Sequence, residues 1–360
     1  MLSPVLSVIA AFVTSFIVTY FAIPSIIDIA FKKQLFDEPN QRSSHQEVTP
    51  SLGGIGIFAG TFFSIVFWTP FQAFGNLQYL LCGFIILFLI GAKDDILPMD
   101  PYKKMIAQAL AASVIAFKME VRLNGFYGLF GIHGAFPEIL AIAISIFTML
   151  VIINAFNLVD GINGLAGSLG ALICGTLGCW FLVADHLELA TVAFATVGGI
   201  MAFLRYNFSP AKIFMGDTGA LIIGLASAVL VISFIDLNHD LPAGTPFRLE
   251  SGPVVAIGIM IIPLFDTLRV FITRIYRGQS PFHADRRHIH HLLIDFGFSH
   301  MRATGILVSV NVFFITLVFG MHDLVNMHIL LLIVLSIAVS LTYFLHKMTL
   351  KKKELTALVE

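Results

Sequence analysis

Charge is what this sequence has least of. Of its 360 residues only 12% are Asp, Glu, Lys or Arg, against 58% hydrophobic. Ordinary soluble domains carry about 25% charged residues, so a string of soluble domains is excluded and a polytopic membrane protein is expected. Cysteine is scarce too. Cys82, Cys174 and Cys179 all sit in apolar runs, which leaves no disulfide framework and no metal spacing, only small buried residues. Net charge is −1, so no basic excess calls for nucleic acid. Internal repeats and low-complexity tracts are absent. The N-terminus lacks the basic flank of a secretory leader, and its apolar run ends at Lys32 and Lys33; it reads as a retained first span.

What is present is a series of apolar runs. A helix needs about 20 such residues to cross a bilayer. Eleven candidates stand at 4–27, 52–70, 77–92, 104–121, 137–156, 163–184, 188–204, 217–236, 252–271, 303–320 and 326–346. Two are short, and Lys118 and Glu120 blur the fourth. The expected fold class is therefore all-α, a polytopic transmembrane helix bundle of 10–11 spans. An N-terminus outside leaves Lys118, Arg122 and Arg248 on the outer side and the other eighteen of 21 Lys and Arg on the inner side. Cytoplasmic loops carry such an excess. The expectation is N-out/C-in, with the polar clusters and the active site at the cytoplasmic face. Residues 1–346 are expected to form a single integral-membrane domain, and 347–360 a solvated cytoplasmic tail. Segment 119–136, with Phe126, Tyr127, Phe130 and Phe136 among glycines, suits the outer interface.

The polar clusters carry the chemistry. Asn154, Asn157, Asp160 and Asn163 recur every three residues between two apolar runs, which puts them roughly on one side of a helix or helical turn. Amides and a carboxylate at a membrane helix end are costly unless they meet water, a partner or a ligand; a polar loop turned by Gly161 and Gly164 is the plainer reading. Asp94 and Asp95 repel each other, so a cation is expected near them, with Lys93 and Lys104 as candidates. Asp217 opens the eighth run. It is either a helix N-cap or a hard-cation ligand, because Mg²⁺ takes one or two protein oxygens and completes its shell with water and phosphate; Asn157 would complete that pair. The stretch His283 to His291 holds four histidines and two arginines. No cysteine completes a zinc site there, and arginine forks with histidines suit a phosphate better. Asp266 lies within a run, with Arg269 one turn on as its partner. Asp37–His45 leads into Thr49-Pro-Ser-Leu-Gly-Gly54, whose glycines permit close backbone approach by a ligand.

Taken together, Thr49 to Gly54, Asp94-Asp95, Asn154 to Leu165, Phe214-Met-Gly-Asp217 and His288-Ile-His-His291 give the chain a resemblance. It resembles the bacterial polyprenyl-phosphate N-acetylhexosamine-1-phosphate transferases, glycosyltransferase family 4, from Asp37 to Leu293. The resemblance implies roles by position. Asn157 and Asp217 match Mg²⁺ ligands, with Mn²⁺ able to substitute. Phe214 matches an aromatic that stacks on uracil, and Asn163 a reader of the uracil edge; Asn154 belongs to the same substrate-binding motif. Asp94, Asp95, Lys104 and Asp160 match the catalytic acidic pair, its facing lysine and a further essential acid. Arg287, His288, His290 and His291 fall where the family holds the sugar diphosphate. Glu47 stands near where the peptidoglycan branch has a uracil-contacting lysine, so no uracil role is assigned there. That branch also carries three consecutive histidines and an aspartate at the position of Asn163. Here His-Ile-His-His follows Asp285-Arg-Arg, similar to the branch that uses UDP-N-acetylglucosamine.

The reaction so implied is attack of undecaprenyl phosphate on the β-phosphorus of UDP-N-acetylglucosamine, releasing UMP at the inner face of the bacterial cytoplasmic membrane. It initiates cell-envelope polysaccharide synthesis. The implied partners are UDP-N-acetylhexosamine, undecaprenyl phosphate and the lipid bilayer, with a homodimer left open. Phospho-N-acetylmuramoyl-pentapeptide transfer is the alternative within the family. An ion-coupled transporter is the alternative outside it, and would place its acidic residues near mid-membrane; a CDP-alcohol phosphotransferase would continue Asp160-Gly161 differently.

Overall fold

The computed structural model describes residues 4–35, 49–70, 74–280 and 287–357. The Asp37–His45 loop, Glu47 and, from the histidine cluster, His283, Asp285 and Arg286 lie outside the described residues.

All eleven apolar runs are helical. In a first compact unit, Met1–Arg248, they form α1 (Pro4–Lys33), α2 (Gly53–Trp68), α3 (Leu77–Ile96), α4 (Pro101–Val114), α5 (Glu138–Val159), α6 (Leu165–Val183), α7 (Leu187–Asn207) and α8 (Gly216–Asp240). In a second, Leu249–Glu360, they form α9 (Gly252–Ile259), α10 (Ile261–Tyr276), α12 (His300–Met321) and α13 (Met327–Ala357), with a short further helix outside the runs, α11 (Ile289–Phe296). α13 runs through residue 346 without a break, and the two units meet in sequence at Arg248 and Leu249. Among the described residues there is no strand, only an isolated bridge between Gly125 and Ala135.

Among the described residues seven helices, α1, α5, α6, α7, α8, α12 and α13, are long and apolar enough to cross a membrane, and α9 with α10 would make an eighth. The protein is a multi-pass membrane protein. The sequence count was higher because α2 has only 16 residues and α4 only 14, while α3 ends on Lys93, Asp94 and Asp95.

In the first unit α8 is apolar on every side and buried without interruption from Thr218 to Phe234. A helix of that kind belongs at the centre, and α2, α3, α5 and α6 pack around it. Glycines set the distances. A Cβ on Gly54 would sit 2.0 Å from the Gly219 nitrogen, and one on Gly91 2.5 Å from the Thr218 Cα. Small residues at crossings let membrane helices close without a hydrophobic drive between them. Gly53 and Gly54 therefore admit a neighbouring helix start, not the ligand suggested by the sequence: their N–H groups donate to the carbonyls of Phe214 (2.9 Å) and Met215 (2.8 Å). The starts of α2 and α8 and the charged end of α3 are thus held together. At the opposite end of α8, Asp236 accepts from Tyr127 Oη (2.6 Å) and Asn124 Nδ2 (2.9 Å), which folds the aromatic segment back onto the unit.

In the second unit the run expected as one span, 252–271, is broken. α9 and α10 meet at 81°. Pro263 is the cause: it has no N–H for the Ile259 carbonyl, and its ring clashes with that carbonyl in a straight helix. Asn311, fully buried on α12, repairs the break. Its Nδ2 donates to the Ile259 carbonyl (3.0 Å), and its Oδ1 accepts from the Ile262 N–H (3.3 Å). Asn311→Leu, which fills the same space but leaves both backbone groups unpaired, is expected to destabilise the protein by roughly 1–2 kcal/mol. An unfolding midpoint in detergent equal to wild type would show that the break needs no such partner.

Candidate active site

Asp94 and Asp95 are neighbours in sequence but face different partners. Asp95 reaches the start of α8, where its Oδ1 accepts from the Asp217 N–H (2.6 Å) and its Oδ2 from the Thr218 N–H (3.1 Å) and Thr218 Oγ1 (2.6 Å). It is the carboxyl cap of that helix, supplied from another helix. Asp217 is therefore not the cap considered from the sequence. It lies one residue inside α8 after Gly216 (φ +71°), a backbone conformation natural only to glycine, and its carboxylate is left to turn toward side chains. A Cβ on Gly216 would also strike the Ser51 carbonyl at 2.0 Å and the Asp95 carboxylate at 2.6 Å.

Two elements converge on Asp217. From α5, Asn157 Nδ2 donates to its Oδ1 (2.6 Å). From α4, the Lys104 ammonium pairs with its Oδ2 and also with Asp94 Oδ2 (3.2 Å). Asp94 Oδ1 in turn accepts from the Met99 N–H (2.6 Å). The cation that the acidic pair demanded is thus Lys104, and it bridges Asp94 to Asp217. An α4 start capped by the Asp100 carboxylate on the Tyr102 N–H (2.8 Å), with Pro101 at its first position, aims this lysine.

Asn154, Asn157, Asp160 and Asn163 do not share one continuous helix. α5 ends at Val159, Asp160 follows as its C-cap, and Gly164 (φ +77°) turns the chain into α6. Asn157 alone among the four reaches Asp217. Asn154, one turn deeper, donates to Gln108 Oε1 (2.7 Å), forming an amide pair between α5 and α4. Asn163 Nδ2 donates to Ser209 Oγ (3.0 Å), and the adjacent Gly164 N–H to Asn207 Oδ1 (2.7 Å), so this residue belongs to the loop that leads to Phe214. That loop is pinned by the Phe214 N–H on the Pro50 carbonyl (2.8 Å), with the Phe214 ring half-buried. Burial, with the Asp95 charge as the smaller cause, pushes the Asp160 carboxyl up to about 7, so it can carry a proton near neutral pH.

The donors around Asp217 suit Mg²⁺. Asp217 offers carboxylate oxygens, and Asn157, whose Nδ2 donates to Asp217 here, would turn its amide oxygen toward a bound ion. The Lys104 ammonium on the same carboxylate shows a position where positive charge is already balanced. Among the described residues no three His, Cys, Asp or Glu side chains are grouped to hold a metal by themselves. A two-ligand site is the kind that takes its remaining oxygens from water and substrate phosphates.

In the second unit the histidine stretch opens α11. His288 and His290 are 3% and 1% exposed, and the rings of His290 and His291 lie 4.1 Å apart. Burial, then the neighbouring His291, pulls His290 down to about 3, so its ring is neutral here. Arg287 lines a cavity of about 400 Å³ together with Arg269, Arg277, Asp295 and His346. Asp266 pairs with Arg269 (2.9 Å) as its spacing suggested, and also meets His288 Nδ1 (2.9 Å), a link that no spacing could reveal. Gln108, Thr218 and Asn207 were likewise missed: each looks like an ordinary helix residue until its distant partner is seen.

The chain is similar to known proteins over the stretch that builds this site. The sequence profile of glycosyl transferase family 4 matches residues 77–235, the stretch that carries Asp94, Asp95, Lys104, Asn154 to Asn163 and Asp217. The undecaprenyl-phosphate alpha-N-acetylglucosaminyl 1-phosphate transferase of Escherichia coli strain K12 is 31% identical over 287 residues, 76% of this chain and 73% of its own. The chain belongs to glycosyl transferase family 4. Two further relatives of this family 4 protein come from distant bacteria. The decaprenyl-phosphate N-acetylglucosaminephosphotransferase of Mycolicibacterium smegmatis is 32% identical over 81% of this chain and 76% of its own. The probable undecaprenyl-phosphate N-acetylglucosaminyl 1-phosphate transferase of Bacillus subtilis is 28% identical over 85% and 83%.

Proposed function

We propose that the chain transfers N-acetylglucosamine 1-phosphate from UDP-N-acetylglucosamine to undecaprenyl phosphate, giving undecaprenyl-diphosphate-N-acetylglucosamine and UMP, at the cytoplasmic face of a bacterial inner membrane. The observation that carries this reading is the joint hold of Asn157 and Lys104 on Asp217, with Asp94 on the far side of the lysine. It sets two carboxylates against one ammonium, and the negative excess leaves room for a further cation beside the phosphates.

Asn157 and Asp217 would hold Mg²⁺. The chemistry available from it there is neutralisation of the diphosphate and of the charge that develops on leaving UMP. Lys104 offers a second positive charge toward the acceptor phosphate. A phosphate monoester has its second pKa near 6, so the lipid nucleophile is ionised at neutral pH and needs no strong base. Asp94 has one oxygen on the Met99 N–H and the other on Lys104. Both are engaged, which favours a positioning role over attack on phosphorus. Phe214 and Asn163 receive the uracil, with Asn154 and Gln108 bracing the helix behind. Within the second unit, Arg287 and the histidines offer hydrogen-bond donors of the kind that a phosphate takes.

The test is a transfer assay with label in the sugar, comparing UDP-N-acetylglucosamine with UDP-N-acetylmuramoyl-pentapeptide, and exchange of labelled UMP into each. Transfer from the first and none from the second is expected, because of Asn163 and the His-Ile-His-His pattern. Efficient use of the pentapeptide nucleotide would move the chain to the peptidoglycan branch. Orientation has its own test. A reporter fused at Glu360 is expected to read cytoplasmic, and a periplasmic reading would overturn the odd number of crossings that N-out/C-in requires.

A further inference from the structure

Asp266 is 2% exposed on α10, and both of its oxygens are committed within the second unit. Oδ1 accepts from the Ile289 N–H (3.0 Å) and from Arg269 Nη2 (2.9 Å). Oδ2 stands 2.9 Å from Nδ1 of His288. A carboxylate oxygen and an unprotonated ring nitrogen are both acceptors and would repel at that distance, so the proton of His288 sits on Nδ1. This reverses the usual preference and turns the other nitrogen, Nε2, away from Asp266. Arg269 also donates to the Arg287 carbonyl (2.5 Å), so the residue before His288 is tied to the same anchor. The Ile289 N–H is the first of α11, and the helix that carries His290 and His291 therefore starts from this carboxylate.

A purely structural pair of Asp266 with Arg269, one turn apart on one helix, would need a single oxygen. The second oxygen is spent on an imidazole in the histidine stretch that the transfer reading assigns to the donor nucleotide. We propose that Asp266 is a positioning residue for transfer. It fixes His288 by Nδ1–H, so that Nε2 is the nitrogen presented to a phosphate oxygen of the donor nucleotide; when phosphate is bound, Nε2 takes a second proton from solvent, and the imidazolium, with Asp266 as its counter-ion, donates that hydrogen bond. The phosphate half of this statement rests on the proposed function; the tautomer does not.

Two measurements test it. The first uses the full-length protein in detergent with ¹⁵N-labelled histidine. One ring protonated at Nδ1 is expected, absent from His288→Gln and returned to the Nε2-protonated form in Asp266→Asn. A wild-type His288 protonated on Nε2 with Nδ1 bare would overturn the proposal, and this readout needs no variant of Asp266 to fold. The second is kinetic. Asp266→Asn is expected to lower kcat roughly 10–100-fold, the scale seen when the outer partner of a working histidine is lost. In a His288→Gln background the same change should add no more than about twofold, because two groups acting through one interaction are not additive. Losses that multiply would assign Asp266 to scaffolding alone. Absence of transfer in the wild type would overturn the nucleotide assignment, and the tautomer measurement would then decide the positioning of His288 by itself.

Discussion

Asp217→Asn is expected to fold and insert like the wild type and to lose transfer activity by on the order of 10²–10³-fold. The two halves of that expectation have separate causes. The fold survives because Asp217 does not cap α8; its N–H is held by Asp95, and an asparagine Oδ1 can still accept from Asn157. The lost ion pair is with Lys104, whose side chain is 14% exposed against 25% for Asp217, and Lys104 keeps Asp94. A partly exposed pair of this kind is worth about 0–1 kcal/mol. Activity does not survive, because a neutral amide removes the single negative charge of a two-oxygen cation site. The measurement is activity against Mg²⁺ concentration, with a thermal midpoint as control. Any residual rate should need far more Mg²⁺. Near-normal rate with an unchanged Mg²⁺ dependence would return Asp217 to a structural role.

Much of this was legible in the sequence, for reasons that differ by residue. The spans were visible because 20-residue apolar runs have no other use. Asn157 and Asp217 were legible as a pair because two motifs, 60 residues apart, each had an unexplained polar residue at a helix end. The bend at α9 and α10 was missed: Pro263 alone does not break a membrane helix unless a partner such as Asn311 takes the freed carbonyl, and Asn311 sits in a different apolar run. The true cap of α8, Asp95, was not visible for a related reason. Local rules look for a cap one residue before the helix, where Met215 stands, and cannot see a carboxylate arriving from α3. Asn154 was grouped with its neighbours by spacing, yet the helix ends between Asn157 and Asn163, and its rotation carries Asn154 to Gln108.

That displaced cap separates the two aspartates that look equivalent in sequence, and it yields the second large effect. Asp95→Ala removes an acceptor from two backbone N–H groups and a hydroxyl at the start of the most buried helix. A buried donor left unpaired costs about 1–3 kcal/mol. The expected loss is on the order of 3–5 kcal/mol in unfolding, with activity falling because Gly216 and Asp217 lose their anchor. Asp94→Ala removes only the Met99 N–H contact and one arm of Lys104 at a partly exposed position, so it should leave stability nearly unchanged and still reduce transfer, through a lysine free to close on Asp217. The discriminating measurement is the thermal midpoint of both variants beside their transfer rates. Asp95→Asn should fall between, since it keeps the oxygen for the Asp217 N–H but turns an amide donor against the Thr218 N–H. If Asp95→Ala keeps the wild-type midpoint while losing transfer, Asp95 touches the reacting phosphates instead of holding the helix that presents Asp217. If Asp94→Ala is the one that unfolds, the bridge through Lys104 carries the fold at this end of the unit.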